Sequence, residues 1–103
     1  EPMAQLILSN TARSGLTSFL KTTATEVAGN GVTVNSIQPG LHATERLTEL
    51  YEDLEGVAGN VPTGKLGNPD DFGAVVAFLC SEQAKFITGA AIPVDGGAAK
   101  GLQ

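Results

Sequence analysis

The chain has no tryptophan and only one cysteine, one tyrosine and one histidine in 103 residues. A single cysteine, Cys80, excludes an internal disulfide framework and a cysteine-cluster metal site, so no metal is expected. It fits a reducing, cytoplasmic setting. Basic residues are also scarce. Six lysines and arginines face eleven acids, for a net charge of −5. The six are scattered, which argues against a surface that tracks nucleic-acid phosphates. No apolar run approaches the length of a membrane span. No two carboxylates have a spacing that argues for paired acid–base work. Repeats and low-complexity segments are absent. What is present is an ordinary globular share of hydrophobic residues, 42%, and 13 glycines that call for many turns.

The first element is expected to be a helix from Met3 to Ala28. Leu8, Ala12, Leu16, Phe19, Leu20, Thr23 and Val27 recur at helical spacing as an apolar stripe. Thr11, Gly15, Ser18 and Thr22 form a second, small-residue face. Gly15 costs about 1 kcal/mol of helix propensity against alanine, and close packing of another helix on that face would compensate. Gly29-Asn30-Gly31 ends the helix. A second helix is expected over Glu45–Glu55, with Leu47, Leu50, Tyr51 and Leu54 on one side and acids on the other. Gly56 to Gly67 reads as loop. Asn68-Pro69-Asp70-Asp71 reads as a third helix start, with a cap, a proline in the first turn and acids toward the dipole. Phe72, Val75, Val76 and Leu79 are expected to bury that helix, with Cys80 inert in the same stripe. The tail from Ala98 to Gln103 is small and polar apart from Leu102, and is expected to fray unless it docks.

Two strands are expected, at 32–38 and 90–94. The first begins as the β-branched run Val32-Thr33-Val34 and meets Pro39-Gly40, where proline cannot donate to a ladder. Asn35 within it needs nearby backbone partners. Thr44 follows, just before the second helix, and suits an N-cap. In open α/β sheets, ligands sit outside the carboxyl ends of strands. The Pro39–Thr44 segment is therefore either a ligand edge or an ordinary strand–turn–helix connection. His42 lies inside it, as a rim residue or as a group titrating near neutrality. Tyr51 is read as half-buried packing before catalysis, and Asp95 as a turn residue closing the last strand.

Three segments carry a family resemblance. NGVTVNSIQPGLHAT resembles the PGxxxT segment that ends the sixth strand of short-chain dehydrogenase/reductases. PTGKLGNPDD resembles that family's P-x-G-R-x-G-x-P-E-E loop and helix start. VVAFLCSEQAKFITGAAIPVDGG resembles its last helix, last strand and terminal turn. Three motifs in order, spanning roughly residues 5 to 97, are far more specific than one glycine motif. The resemblance implies an α/β fold, a doubly wound parallel-sheet Rossmann-type domain. It implies NAD or NADP as cofactor and a small-molecule carbonyl or alcohol as substrate, in the manner of 3-oxoacyl-acyl-carrier-protein reductases. It implies a homo-oligomer, dimer or tetramer, through helix 3–28 and the C-terminal helix and strand.

Two strands cannot close such a sheet by themselves. The glycine-rich phosphate loop that opens a Rossmann unit is not found in the sequence. The expectation is that residues 1–103 are the C-terminal part of one domain whose dinucleotide-binding half lies outside this chain. The resemblance puts Pro39, Gly40, His42 and Thr44 at the cofactor. It also places the family's Tyr-x-x-x-Lys on Ser9-Asn10-Thr11-Ala12-Arg13, so Ser9 stands for the tyrosine and Arg13 for the lysine. A serine hydroxyl is a far weaker acid than a phenol, whose pKa is about 10, and Arg13 stays charged. The catalytic candidates are Ser9, Arg13 and His42, with His42 as a proton donor. Arg13 would also meet the ribose. The replacement leaves open a catalytically inactive or regulatory relative that acts through subunit association.

Overall fold

The computed structural model describes residues 2–101. Helix α1 spans Ile7–Val27 and runs into a 3-10 turn at Ala28–Asn30. Strand β1 is Ser36–Pro39, and helices α2 (Glu45–Leu50), α3 (Leu54–Gly59) and α4 (Pro69–Leu79) follow. A second 3-10 turn at Glu82–Ala84 leads to strand β2, Ala91–Val94. The two strands form one two-stranded parallel sheet. The chain divides into two units. One holds the chain up to Ser36 with Leu79–Ile92, and the other holds Ile37–Phe78 with the chain from Pro93 on.

In the first unit, α1 starts at Ile7 rather than Met3. Gln5 adopts a positive φ of 69°, which a continuing right-handed helix cannot accommodate. The Asn10 amide instead clasps the turn, donating to Met3 O at 2.8 Å and accepting from Met3 N–H at 3.2 Å. The expected apolar stripe divides along its length. Ala24 is buried and Leu20, Thr23 and Val27 are half-buried, while Leu8 is 84% and Phe19 65% exposed. The small face from Thr11 to Thr22 is exposed as well, and nothing lies near Gly15. Thr11 and Thr22 bond the carbonyls four residues back, Ile7 O and Ser18 O. Lys21 Nζ donates to Gly89 O at 2.9 Å and ties the packed end of α1 to the segment before β2.

Strand β1 begins later than the β-branched run. Val34 N–H donates to Thr88 Oγ1 at 3.0 Å. Asn35 donates from Nδ2 to Ile87 O at 2.9 Å and accepts from Ala90 N–H at 3.1 Å. Before Ser36 these side-chain bonds flank a single backbone bond, Gly89 N–H to Val34 O at 2.7 Å, and they supply the partners that a part-buried Asn35 needs. Pro39 is the last residue of β1 rather than its stop. Ser36 and Gly40 both donate toward β2, to Ala90 O and Val94 O. By strand alternation, the missing N–H of Pro39 faces away from β2, so no bond to β2 is lost.

In the second unit, the expected helix over Glu45–Glu55 is two short helices. Tyr51 is extended, with φ −131° and ψ 130°, and Asp53 caps a new helix by accepting from Gly56 N–H. The expected loop therefore begins after Gly59. Leu47 and Val61 are buried there, while Leu50 and Tyr51 are exposed, so Tyr51 is less covered than its sequence suggested. Helix α4 starts as expected, with Asn68 Oδ1 accepting from Asp70 N–H. Of its expected core positions, Leu79 is buried, Phe72 and Val75 are half-buried and Val76 is exposed. Cys80 lies just past the helix and is exposed, which corrects the expectation of an inert buried thiol. Leu102 and Gln103 lie outside the described residues. The tail before them is held where Ala99 N–H meets Asp95. No helix among the described residues is long and apolar enough to cross a membrane.

Candidate functional site

The carboxyl end of β1 is fixed by two close approaches. Gly40 N–H donates to Val94 O at 3.0 Å, and a Cβ on Gly40 would lie 2.5 Å from Asp95 Cα. Only glycine lets the turn after Pro39 lie this near the end of β2. Across the turn, His42 and Gly67 form a parallel bridge. Ala43 N–H donates to Gly67 O at 2.8 Å, and Gly67 N–H donates to Leu41 O at 2.9 Å. The loop that ends at Gly67 thereby adds a third backbone segment beside the turn.

His42 is half-buried in this bridge. Its Nδ1 lies 3.0 Å from Gly40 O. Its ring meets Phe72 of α4 edge to face, with centroids 5.1 Å apart at 82°. A Cβ on Gly67 would come within 2.5 Å of His42 Cδ2 and 2.6 Å of Nε2. Thr44 caps α2 by accepting from Leu47 N–H at 3.3 Å. Its hydroxyl proton is not used in that bond. Asp95 closes β2 as a turn residue, accepting from Gly97 N–H at 2.9 Å and Ala99 N–H at 2.8 Å. These backbone donors, Ala99 first, favour the charged carboxylate and lower its pKa. A cavity of about 190 Å³ opens here, its walls including Leu41, His42, Thr63, Lys65 and Asp95.

Pro39, Gly40, His42 and Thr44 are thus brought together. Ser9 and Arg13 form a separate pair on α1, one turn apart on an exposed surface. Arg13 Nε–H donates to Ser9 Oγ at 2.9 Å. With the oxygen acting as acceptor, the Ser9 hydroxyl proton stays free to donate. Arg13 therefore stands to Ser9 as a fixed cation beside a hydroxyl. Sequence reasoning missed Gly67, Phe72 and the Gly40–Asp95 contact. Gly67 reads locally as one more loop glycine, and Phe72 as one more apolar helix position.

The residues present suit one half of a dinucleotide. In the second unit, a glycine-backed turn and a Thr44 hydroxyl proton not used in the cap are of the kind a nicotinamide amide accepts. The described residues include no glycine-rich strand-to-helix loop for a pyrophosphate.

Comparison with known proteins points the same way. Residues 3–99 match the family described as enoyl-(acyl carrier protein) reductase. The 3-oxoacyl-(acyl-carrier-protein) reductase FabG of Haemophilus influenzae is 44% identical over 88 residues, 84% of this chain and 36% of that protein. The FabG of Escherichia coli K12 is 41% identical over 87 residues, again 84% and 36%. Among solved structures, YwfH, an NADPH dependent reductase involved in bacilysin biosynthesis, superposes with a TM-score of 0.91 at 31% identity. That match covers 99% of this chain and 43% of YwfH. The F189W actinorhodin polyketide ketoreductase with NADPH gives 0.86 at 25% identity, covering 97% and 43%. The chain spans about a third of the length of the curated relatives it matches. Its helices and parallel strands are a portion of a Rossmann-type α/β domain.

Proposed function

The chain belongs to the short-chain dehydrogenase/reductase family, and from that premise we propose that it is the C-terminal portion of an NAD(P)-dependent oxidoreductase interconverting a carbonyl and an alcohol, of the 3-oxoacyl-reductase kind. The observation that carries the reading is the end of β1. A strand passes through Pro39-Gly40 into a turn locked on both sides and delivers Thr44 to a helix start, where open α/β sheets bind ligands. NAD(P), when bound, supplies or accepts the hydride. Pro39, Gly40, His42 and Thr44 shape the edge against which the nicotinamide lies, and Thr44 has a hydroxyl proton to donate. Arg13 offers its terminal nitrogens to ribose hydroxyls while its Nε holds Ser9. Ser9 then presents its own hydroxyl proton toward the substrate oxygen, as a polarised but weakly acidic donor.

The pyrophosphate-binding half belongs, in this reading, to residues outside the chain. Exposed Leu8, Leu16 and Phe19 on α1, and Val76 and Phe78 on α4, support homo-oligomer contacts through those helices. The single cysteine supports a reducing, cytoplasmic setting.

The test is loss of nicotinamide absorbance on a panel of 3-oxoacyl thioesters and simple ketones, using the protein with its dinucleotide-binding half. Cofactor-dependent turnover is expected there. Calorimetric titration of residues 1–103 alone is expected to show no NAD(P) binding. No turnover on any carbonyl, or micromolar binding by the isolated chain, would overturn the reading.

A further inference from the structure

We infer that His42 is a positioning residue, a peg that fixes the Gly40–Thr44 turn against Gly67 and so sets the nicotinamide edge; the second half of this rests on the function proposed above. Three contacts converge on one ring. A carbonyl oxygen only accepts, so the 3.0 Å contact with Gly40 O places the proton on Nδ1. That bond closes the turn on itself. The Cδ2–Nε2 edge lies over Gly67, at a spacing no Cβ would permit. Phe72 meets the ring edge to face and joins it to the start of α4. The backbone bonds of Ala43 and Gly67 run directly beneath this packing.

The arrangement speaks against a proton donor. The Nδ1 proton is committed to Gly40, and Nε2 lies on the ring edge next to Gly67. The ring's work is geometric. It carries the turn, the loop before α4 and the first turn of α4 as one unit, and His42 O in turn receives Thr44 N–H at 2.8 Å. Gly67 is then the socket for the peg. It is glycine because of His42, since the three atoms nearest to where its Cβ would sit all belong to that ring.

His42 is the only histidine, so its ring nitrogens can be read without ambiguity. Long-range proton–nitrogen NMR of the ¹⁵N-labelled chain at pH above neutrality should show the Nδ1–H tautomer. The Nε2–H tautomer, or an averaged ring, would overturn the peg. Amide exchange gives a second reading. His42→Ala should speed exchange at Ala43 and Gly67 by about tenfold, and Gly67→Ala should do likewise. In the His42→Ala background, Gly67→Ala should add less than about twofold, because coupled neighbours are not additive. Equal factors in both backgrounds would sink the socket. In the turnover-competent protein, His42→Ala should raise KM for the nucleotide about tenfold, leave kcat within about threefold and leave its pH profile unmoved. Loss of a limb of that profile would make His42 a proton donor instead. Should the wild type show no turnover, the proposed function fails, while the tautomer and exchange results still decide the peg.

Discussion

Helix α1 and the turn after β1 both carry residues proposed to meet the cofactor, yet they are held in opposite ways. The Ser9 and Arg13 side chains meet each other one helical turn apart on an exposed surface. Any helix with those residues four apart would allow the same contact. Gly40 and His42, by contrast, are held by Asp95, Gly67 and Phe72, which lie far away in sequence. The first arrangement is cheap and adaptable. The second is specified at several points at once and tolerates little change. A binding edge that must hold its shape before the ligand arrives is better built the second way, since order imposed in advance is not charged to binding.

The comparison can be broken most easily at Gly40. Gly40→Ala sets a methyl on the Asp95 backbone, which cannot retreat without disturbing β2. The expected loss is about 3 kcal/mol, the upper end for overpacking, read as a lower urea midpoint with an unchanged slope. A loss under about 0.5 kcal/mol, as at an ordinary surface site, would mean that the close approach is not fixed in solution.

Asn35→Ala sharpens the comparison in the other unit. It leaves Ile87 O and Ala90 N–H without their side-chain partners, and should cost about 1–3 kcal/mol. Hydrogen exchange at Ala90 should rise with it. An unaltered Ala90 amide would show that solvent replaces Asn35 freely.

The smallest effect belongs to α1. Ser9→Ala removes one exposed hydrogen bond and should change stability by less than about 0.5 kcal/mol. In the turnover-competent protein, the same change should lower kcat by about 10²-fold or more if Ser9 donates the proton. Full retention of kcat would remove Ser9 from the catalytic set.

Much of the fold could be read from the sequence because its signals are local. The cap at Asn68, the cap at Thr44 and the turn at Asp95 each depend on residues within four positions of one another. The break between α2 and α3 was local as well. Asp53 accepting from Gly56 N–H is a cap between residues three apart, hidden because the apolar spacing of Leu47, Leu50 and Leu54 runs through it. Cys80 and Val76 fit the apolar pattern of α4 yet lie exposed. A period identifies a face, but whether anything covers that face depends on other parts of the molecule.

The sequence by itself determined that α1 and α4 are helices, the order of the two strands and the proline–glycine turn. Each is a property of short segments, where backbone sterics and side-chain capping act within a few residues. Tertiary structure alone decided that Gly40 must be glycine for the sake of Asp95, that Gly67 makes room for His42, and that the His42 ring is turned inward onto Gly40 O and Phe72. The reason is excluded volume. Which atoms compete for the same few cubic ångströms is fixed by the path of the whole chain, and no local pattern records it.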